Sequence, residues 1–371
     1  MKLWRNLELP YYTMVAISFL LAFVISQQQA VAKQAPLVTP DAKGNATAGA
    51  NLNANAIAVK PDFNAAGTYK VDTALATWRD TARMRDVLVK LYLPVIGKAD
   101  EATSTFPVVL FSHGLGGSRE GGKRWAEHWA SHGYVVVALQ HAGSDESLWK
   151  GAPPREIAGK MKAGMTLSNL TLRIDDVHFV IDEIMRRTEA GEVAFANADP
   201  KQLGMSGHSF GAQTTLAVAG QKSPTAITVN VIDKRIRSAI AFSPNARNQN
   251  ALPRQFGDIK PPFFSITGTE DGSILDDGTK PEQRRLPFEN MPAGQKYLAV
   301  FDGGDHMVFG GHGFGLRRPE TARDKKIQLD VMAATLAFWN ATLKQDAAAR
   351  HWLEKGDFRA TLNAKDVFEY K

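Results

Sequence analysis

Two continuous apolar runs, "FPVVLFSHG" from Phe106 and "YVVVALQH" from Tyr134, constrain this chain's fold more than any other feature. A strand with one wet face alternates apolar and polar residues. A strand apolar throughout is covered on both faces, which is the condition of a parallel sheet with helices above and below. Helical spacing follows each run. "GGKRWAEHWASHG" puts Trp125, Ala126 and Trp129 on one side, and "LSNLTLRIDDVHFVIDEIMRR" puts Leu170, Ile174, Val177 and Ile181 on one stripe. "KQLGMSG" reads as a third buried strand with "FGAQTTLAVAG" as its helix, and "IRSAIAFSP", "PPFFSITGT" and "KYLAVFDGG" as further strands. "KKIQLDVMAATLAFWNATL" reads as a late helix. Upstream, "YKVDTALATW" and "VLVKLYLP" alternate like an antiparallel hairpin. The expectation is an α/β fold: a mostly parallel central sheet, helices on both faces and an N-terminal antiparallel hairpin.

In such sheets ligands bind at the carboxyl ends of the strands, and the chemistry-bearing residues of this sequence gather there. "QLGMSGHSFGAQTTLAVAG" turns from strand to helix at Gly207-His208-Ser209-Phe210-Gly211. The five-residue pattern alone is weak. At a strand-to-helix turn it describes a nucleophilic serine held in strained backbone, with glycines two residues away to avoid a clash. The N–H of Phe210 is then the expected first oxyanion donor. "FSHGLGG" (residues 111–117) ends the first buried strand, and its Leu115 N–H is the expected second donor. His113 reads as a structural support of that loop.

"SITGTEDGS" ends the penultimate strand and offers Asp271 as the carboxylate that orients a histidine. Adjacent Glu270 should point away, and Asp276 and Asp277 are weaker alternatives. "FDGGDHMVFGGHG" follows the last strand and offers His306, with His312 as the lesser candidate. The order Ser209, Asp271, His306 is that of one serine-triad fold and not of the others. No residue set suits a metal or a cofactor: His306 and His312 lack a carboxylate cluster, "GGHGFG" does not open a βαβ unit, and no Gly-Lys-Ser/Thr follows "FSHGLGG".

The 371 residues contain no cysteine, which excludes disulfides, thiolate metal sites and a cysteine nucleophile. The net charge of +6 shows no Lys/Arg stripe with interleaved aromatics, so no nucleic-acid partner is expected. Lys2 and Arg5 precede an apolar run from Met14 to Ile25, short of the roughly 20 residues a span needs, and Ala30-Val31-Ala32 offers a cleavage signal. Residues 1–32 therefore read as a signal peptide for export (periplasmic or secreted), with an uncleaved anchor as the alternative. Residues 33–60 read as a flexible linker and 61–371 as one catalytic domain, with no stable membrane span after cleavage.

"FSHGLGG" together with "GHSFG" resembles the α/β-hydrolase superfamily over residues 61–345. Within it the chain resembles the platelet-activating-factor acetylhydrolases and the bacterial group called predicted dienelactone hydrolases. The resemblance implies hydrolysis of short acyl esters, with polyester-cleaving cutinase-like enzymes more distant. Two departures stand out. Dienelactone hydrolases use a cysteine nucleophile. The acetylhydrolases carry the acid one strand earlier, where this chain has "AFSPNARNQ", without Asp or Glu. That favours Asp271 and weakens transfer of the phospholipid substrate.

The insertion from His141 to Asn169 reads as the specificity segment. Trp149, Met161 and Met165 are candidate acyl-pocket residues or, equally, an apolar edge packed on the core; His141 and Asp145 read as positioning the loop, with no chemistry assigned. The readings left open are an exported serine ester hydrolase on small or lipid-like esters, a polyester or amide hydrolase on the same triad, and a non-catalytic exported binding protein.

Overall fold

The computed structural model describes residues 61–97, 104–222, 231–246, 249–273, 278–311 and 319–371. The expected signal peptide and linker lie outside them. In chain order the elements are β1 (Lys70–Asp80), β2 (Arg85–Val95), β3 (Phe106–Ser112), α1 (Lys123–Ser131), β4 (Val135–Gln140), α2 (Pro154–Gly164), α3 (Leu167–Glu189), β5 (Ala198–His208), α4 (Phe210–Ala219), β6 (Ile236–Phe242), α5 (Leu252–Phe256), β7 (Phe263–Glu270), α6 (Leu286–Asn290), β8 (Lys296–Asp305), α7 (Ala322–Leu343), α8 (Ala347–Glu354), α9 (Asp357–Thr361) and β9 (Val367–Tyr370).

The strands form one nine-stranded sheet in the order β1-β2-β4-β3-β5-β6-β7-β8-β9. Pairings from β4 through β8 are parallel, while β1–β2, β2–β4 and β8–β9 are antiparallel. The expected α/β architecture and its hairpin are thus present. The apolar runs behave as double-sided strands do. Val109 and Phe111 join the core under α1 and α7, while Val108 and Leu110 join the core under α3. Trp125, Ala126 and Trp129 of α1 are buried together on the first of these faces.

Six elements escaped the sequence pattern: α2, α5, α6, α8, α9 and β9. Helix α2 begins at Pro154, where a missing N–H costs nothing, but it contains Gly159 and Gly164 and buries only the latter, so no apolar stripe marks it. Strand β9 is four residues long and exists through its pairing with β8. Among the described residues no helix is long and apolar enough to cross a membrane.

Candidate active site

Ser209 sits between β5 and α4 with φ 57° and ψ −112°, a conformation L-residues avoid. The strain persists because the turn is wedged against β3. A Cβ on Gly211 would lie 1.9 Å from the Ser112 carbonyl oxygen, and one on Gly207 would lie 2.4 Å from the Gly211 oxygen. Both glycines are therefore required by close backbone approach. The Ser209 N–H is held by the Phe242 oxygen at 2.9 Å.

The ends of β7 and β8 bring Asp271 and His306 to this serine. His306 Nε2 is 2.9 Å from Ser209 Oγ, and its Nδ1 is 2.7 Å from Asp271 Oδ1. Asp271 is fully buried and His306 is 4% exposed. With Nδ1–H donating to the carboxylate, Nε2 keeps its lone pair toward the serine hydroxyl. Thr267 Oγ1 donates to the other carboxylate oxygen at 2.8 Å. Burial by itself would raise the Asp271 carboxyl, but His306 and the Arg284 guanidinium outweigh it and hold it below the usual value of 3.8. Glu270 is exposed, as expected of the residue before it. His312, Asp276 and Asp277 lie outside the described residues.

Arg284 is the main member of this cluster that the sequence reading did not single out. It lies in the segment between β7 and α6, is 4% exposed, and puts Nε 2.8 Å from Asp271 Oδ1 and Nη2 3.1 Å from His306 Nδ1. Its Nη1 donates to the Ser243 oxygen at 2.8 Å, in the turn after β6 where the resembling family carries its acid. No local pattern marks Arg284; only the return of the chain beneath β7 brings it there. His208 was also passed over. Its Nε2 donates to the His306 carbonyl oxygen at 2.8 Å, and the two rings lie 4.7 Å apart.

The loop after β3 abuts the serine: a Cβ on Gly114 would lie 3.4 Å from Ser209 Cβ. Phe210 opens α4, so its N–H has no intrahelical acceptor. Among the described residues no hydrogen bond occupies the N–H of Leu115 or of Phe210. His113 supports the loop as expected. It accepts from the His141 N–H at Nε2 (3.0 Å), which leaves Nδ1 to donate to the Gly114 oxygen at 2.6 Å.

Beneath the loop lies a second Ser–His–Asp line. Ser112 Oγ is 2.9 Å from His141 Nε2, and His141 Nδ1 is 3.1 Å from Asp176 Oδ2. All three residues are fully buried, so no substrate reaches them. Burial and the charge of Arg173 push the His141 imidazole down to about 4, which keeps it neutral. Asp176 is ion-paired with Arg83 (2.9 Å) and Arg85 (2.8 Å). Asp145 meanwhile caps the turn after His141, accepting from the Ser147 N–H and from Gln140 Nε2.

The insertion lies on the same loop. Trp149 Nε1 donates to the Gly116 oxygen at 2.7 Å. A Cβ on Gly116 would lie 2.5 Å from Met161 Cε and 3.2 Å from Trp149 Cδ1. Met165 is half-buried at the C-terminal end of α2, its N–H on the Lys162 oxygen. Trp149 and Met161 therefore pack against the loop after β3, and Met165 stands at the junction into α3. Among the described residues no group of three or more His, Cys, Asp or Glu side chains could hold a metal.

No curated protein matches the chain. Residues 72–151 match the family described as "Platelet-activating factor acetylhydrolase, isoform II", a segment that contains His113, Leu115 and Trp149 and ends before Ser209. The match supports a serine-hydrolase type of esterase or lipase function. Over residues 72–151 the chain is similar to platelet-activating factor acetylhydrolase, isoform II, and its mostly parallel sheet with flanking helices and antiparallel hairpin is consistent with the α/β-hydrolase fold.

Proposed function

We propose that the protein is an exported serine ester hydrolase that cleaves carboxylic esters through an acyl-enzyme. The observation that carries this reading is the pair of contacts of one buried imidazole: 2.9 Å to Ser209 Oγ and 2.7 Å to Asp271 Oδ1. A serine hydroxyl is a weak nucleophile until a base takes its proton. His306 Nε2 takes it as Oγ attacks the ester carbonyl, and Asp271 fixes the tautomer and stabilises the imidazolium. The tetrahedral oxyanion is received by the N–H groups of Leu115 and Phe210, each worth on the order of 3 kcal/mol in the transition state. The imidazolium then protonates the leaving alcohol. Water, deprotonated by the same nitrogen, releases the acid.

Trp149, Met161 and Met165 form the side of the site that selects the acyl group. What supports this is the packing of Trp149 and Met161 on Gly116, next to Leu115. Export is inferred from Lys2, Arg5, the apolar run Met14–Ile25 and Ala30-Val31-Ala32, and N-terminal sequencing of the protein from culture fractions tests it.

The function is tested with p-nitrophenyl esters of increasing acyl length, an amide analogue and a polyester film, on the wild type and Ser209→Ala. Ester turnover should fall by about 10⁴-fold or more in the variant. Absence of wild-type turnover on every substrate, with no labelling by a fluorophosphonate, refutes the reading. Preference for the amide or the film reassigns the substrate class while keeping the triad.

A further inference from the structure

Arg173 is a residue the reaction outlined above does not use. It lies on α3 and is fully buried, and burial pushes its guanidinium down only to about 9, so it remains a cation at neutral pH. An isolated buried guanidinium is costly. This one is surrounded by acceptors, of which those of Ser112, His113 and Gly114 belong to the end of β3 and the loop that faces Ser209, and those of Ser144 to the neighbouring loop after β4. Nη1 donates to the His113 oxygen at 2.7 Å and reaches Ser112 Oγ at 3.4 Å. Nη2 lies 3.5 Å from the Gly114 oxygen and 3.3 Å from the Ser144 oxygen, and Nε donates to Ser144 Oγ at 2.8 Å. Ser144 in turn receives the Gly116 N–H at 2.9 Å. The Cζ of the same guanidinium lies over the Phe210 ring, 4.4 Å from its centroid.

We propose that Arg173, together with His113, is a positioning residue that sets the orientation of the Gly114–Leu115 peptide relative to Phe210, and so assembles the two oxyanion donors. The inference rests on the ester-hydrolase reading above. The physical step is short. The Gly114 carbonyl and the Leu115 N–H belong to one peptide unit, which is planar and trans, so they point in opposite directions. His113 Nδ1–H and Arg173 hold the carbonyl on the α3 side, which turns the N–H to the other side. The Phe210 N–H is the other donor, and its side chain rests on the same guanidinium. One planar cation thus references both donors to each other. Lysine cannot reproduce this, because a single ammonium neither forks to several carbonyls nor stacks flat on a ring.

The test compares wild type, Arg173→Lys and Ser209→Ala with p-nitrophenyl acetate, and measures inhibition by an aryl trifluoromethyl ketone, whose serine adduct places an oxyanion between the donors. Arg173→Lys should lower kcat by about 100-fold, the scale expected when one oxyanion donor is lost, with KM within about twofold. Ketone affinity should weaken in proportion to kcat/KM. A kcat and a ketone affinity both within about twofold of wild type overturn the proposal, as does a loss confined to KM. If Arg173→Lys does not unfold cooperatively, His113→Asn and His113→Ala decide the matter. The Asn amide replaces the Nδ1–H donor, so it should retain kcat while Ala loses it at unchanged KM; equal loss in both overturns the proposal. An inactive, unlabelled wild type refutes the ester-hydrolase reading itself, whereas an active wild type with a dead Ser209→Ala leaves that reading standing whatever Arg173 does.

Discussion

Nε2 of His208 donates a hydrogen bond to the carbonyl oxygen of His306 at 2.8 Å, so the residue just before Ser209 fastens the loop that carries the imidazole. Ser209 and His306 are thereby tied by a side-chain-to-backbone contact through His208 as well as by their own hydrogen bond. Replacing His208 by Ala removes the donor and leaves a buried carbonyl unsatisfied, a cost of about 1–3 kcal/mol. If that cost falls on the alignment of His306, kcat drops by about 10- to 100-fold. Steady-state kinetics on p-nitrophenyl acetate check this, with KM expected to change little.

The Arg284–Asp271 pair carries a second expectation. Arg284→Met leaves the buried carboxylate without its nearest permanent cation, and breaking a buried pair from one side costs about 3–5 kcal/mol. Chemical denaturation should register a loss of that size, and kcat should fall as well, because Asp271 no longer has its second charge partner.

Acid should destabilise the fold in a defined window. The carboxyls of Asp271 and Asp176 are both held below 3.8 in the folded protein: burial opposes this, but His306 and Arg284 in one case, and His141 and Arg85 in the other, outweigh it. A depressed carboxyl contributes stability that is fully present above its unfolded value and is lost as pH falls through the folded one. Thermal unfolding should therefore show Tm declining as pH falls from about 6.5, where the unfolded chain protonates the His141 imidazole that the folded protein holds down to about 4, and declining further below about pH 4 as the two carboxyls protonate. Asp176→Asn should lower Tm at neutral pH and flatten the decline below about pH 4.

At the elbow, Gly211→Ala places a methyl group 1.9 Å from the Ser112 oxygen, and backbone there has no room to yield. Either β3 or the Ser209 turn must move. A displacement of about 1 Å is enough to cost about 100-fold in rate, so activity should fall by at least that factor. The fluorophosphonate labelling rate and far-UV circular dichroism together separate a misplaced serine from an unfolded chain.

For the insertion, Met161→Ala empties the space beside Gly116. A longer acyl chain should gain relative to acetate, by a few-fold to about 10-fold in kcat/KM, the usual scale for added methylenes in an apolar pocket. An unchanged chain-length profile would make Met161 a support of the loop alone.

Much of this was legible in the sequence because the signals are local. Strand-to-helix order follows from runs such as "FPVVLFSHG" and the stripe through Ile174, Val177 and Ile181. Ser209 is marked by Gly207 and Gly211, since the steric demand of the turn acts on its immediate neighbours. Asp271 and His306 are marked by their position at strand ends, and the structure brings both to Ser209. Arg284, His208, Arg173 and Asp176 were not legible. Arg173 and Asp176 flank the apolar stripe of α3 and look like its solvent face, yet both are fully buried.

The sequence by itself determined the sheet class, the elbow and the order of the candidate triad, because periodicity, glycine placement and chain order are properties of neighbouring residues. Only the tertiary structure decided which charges are buried against that triad and its loop. Arg173 meets the His113 oxygen across 60 residues and Arg284 meets the Asp271 oxygen across 13. A buried cation is tolerated only where the fold supplies its acceptors, and several of those acceptors are backbone carbonyls, which leave no mark in the amino-acid code.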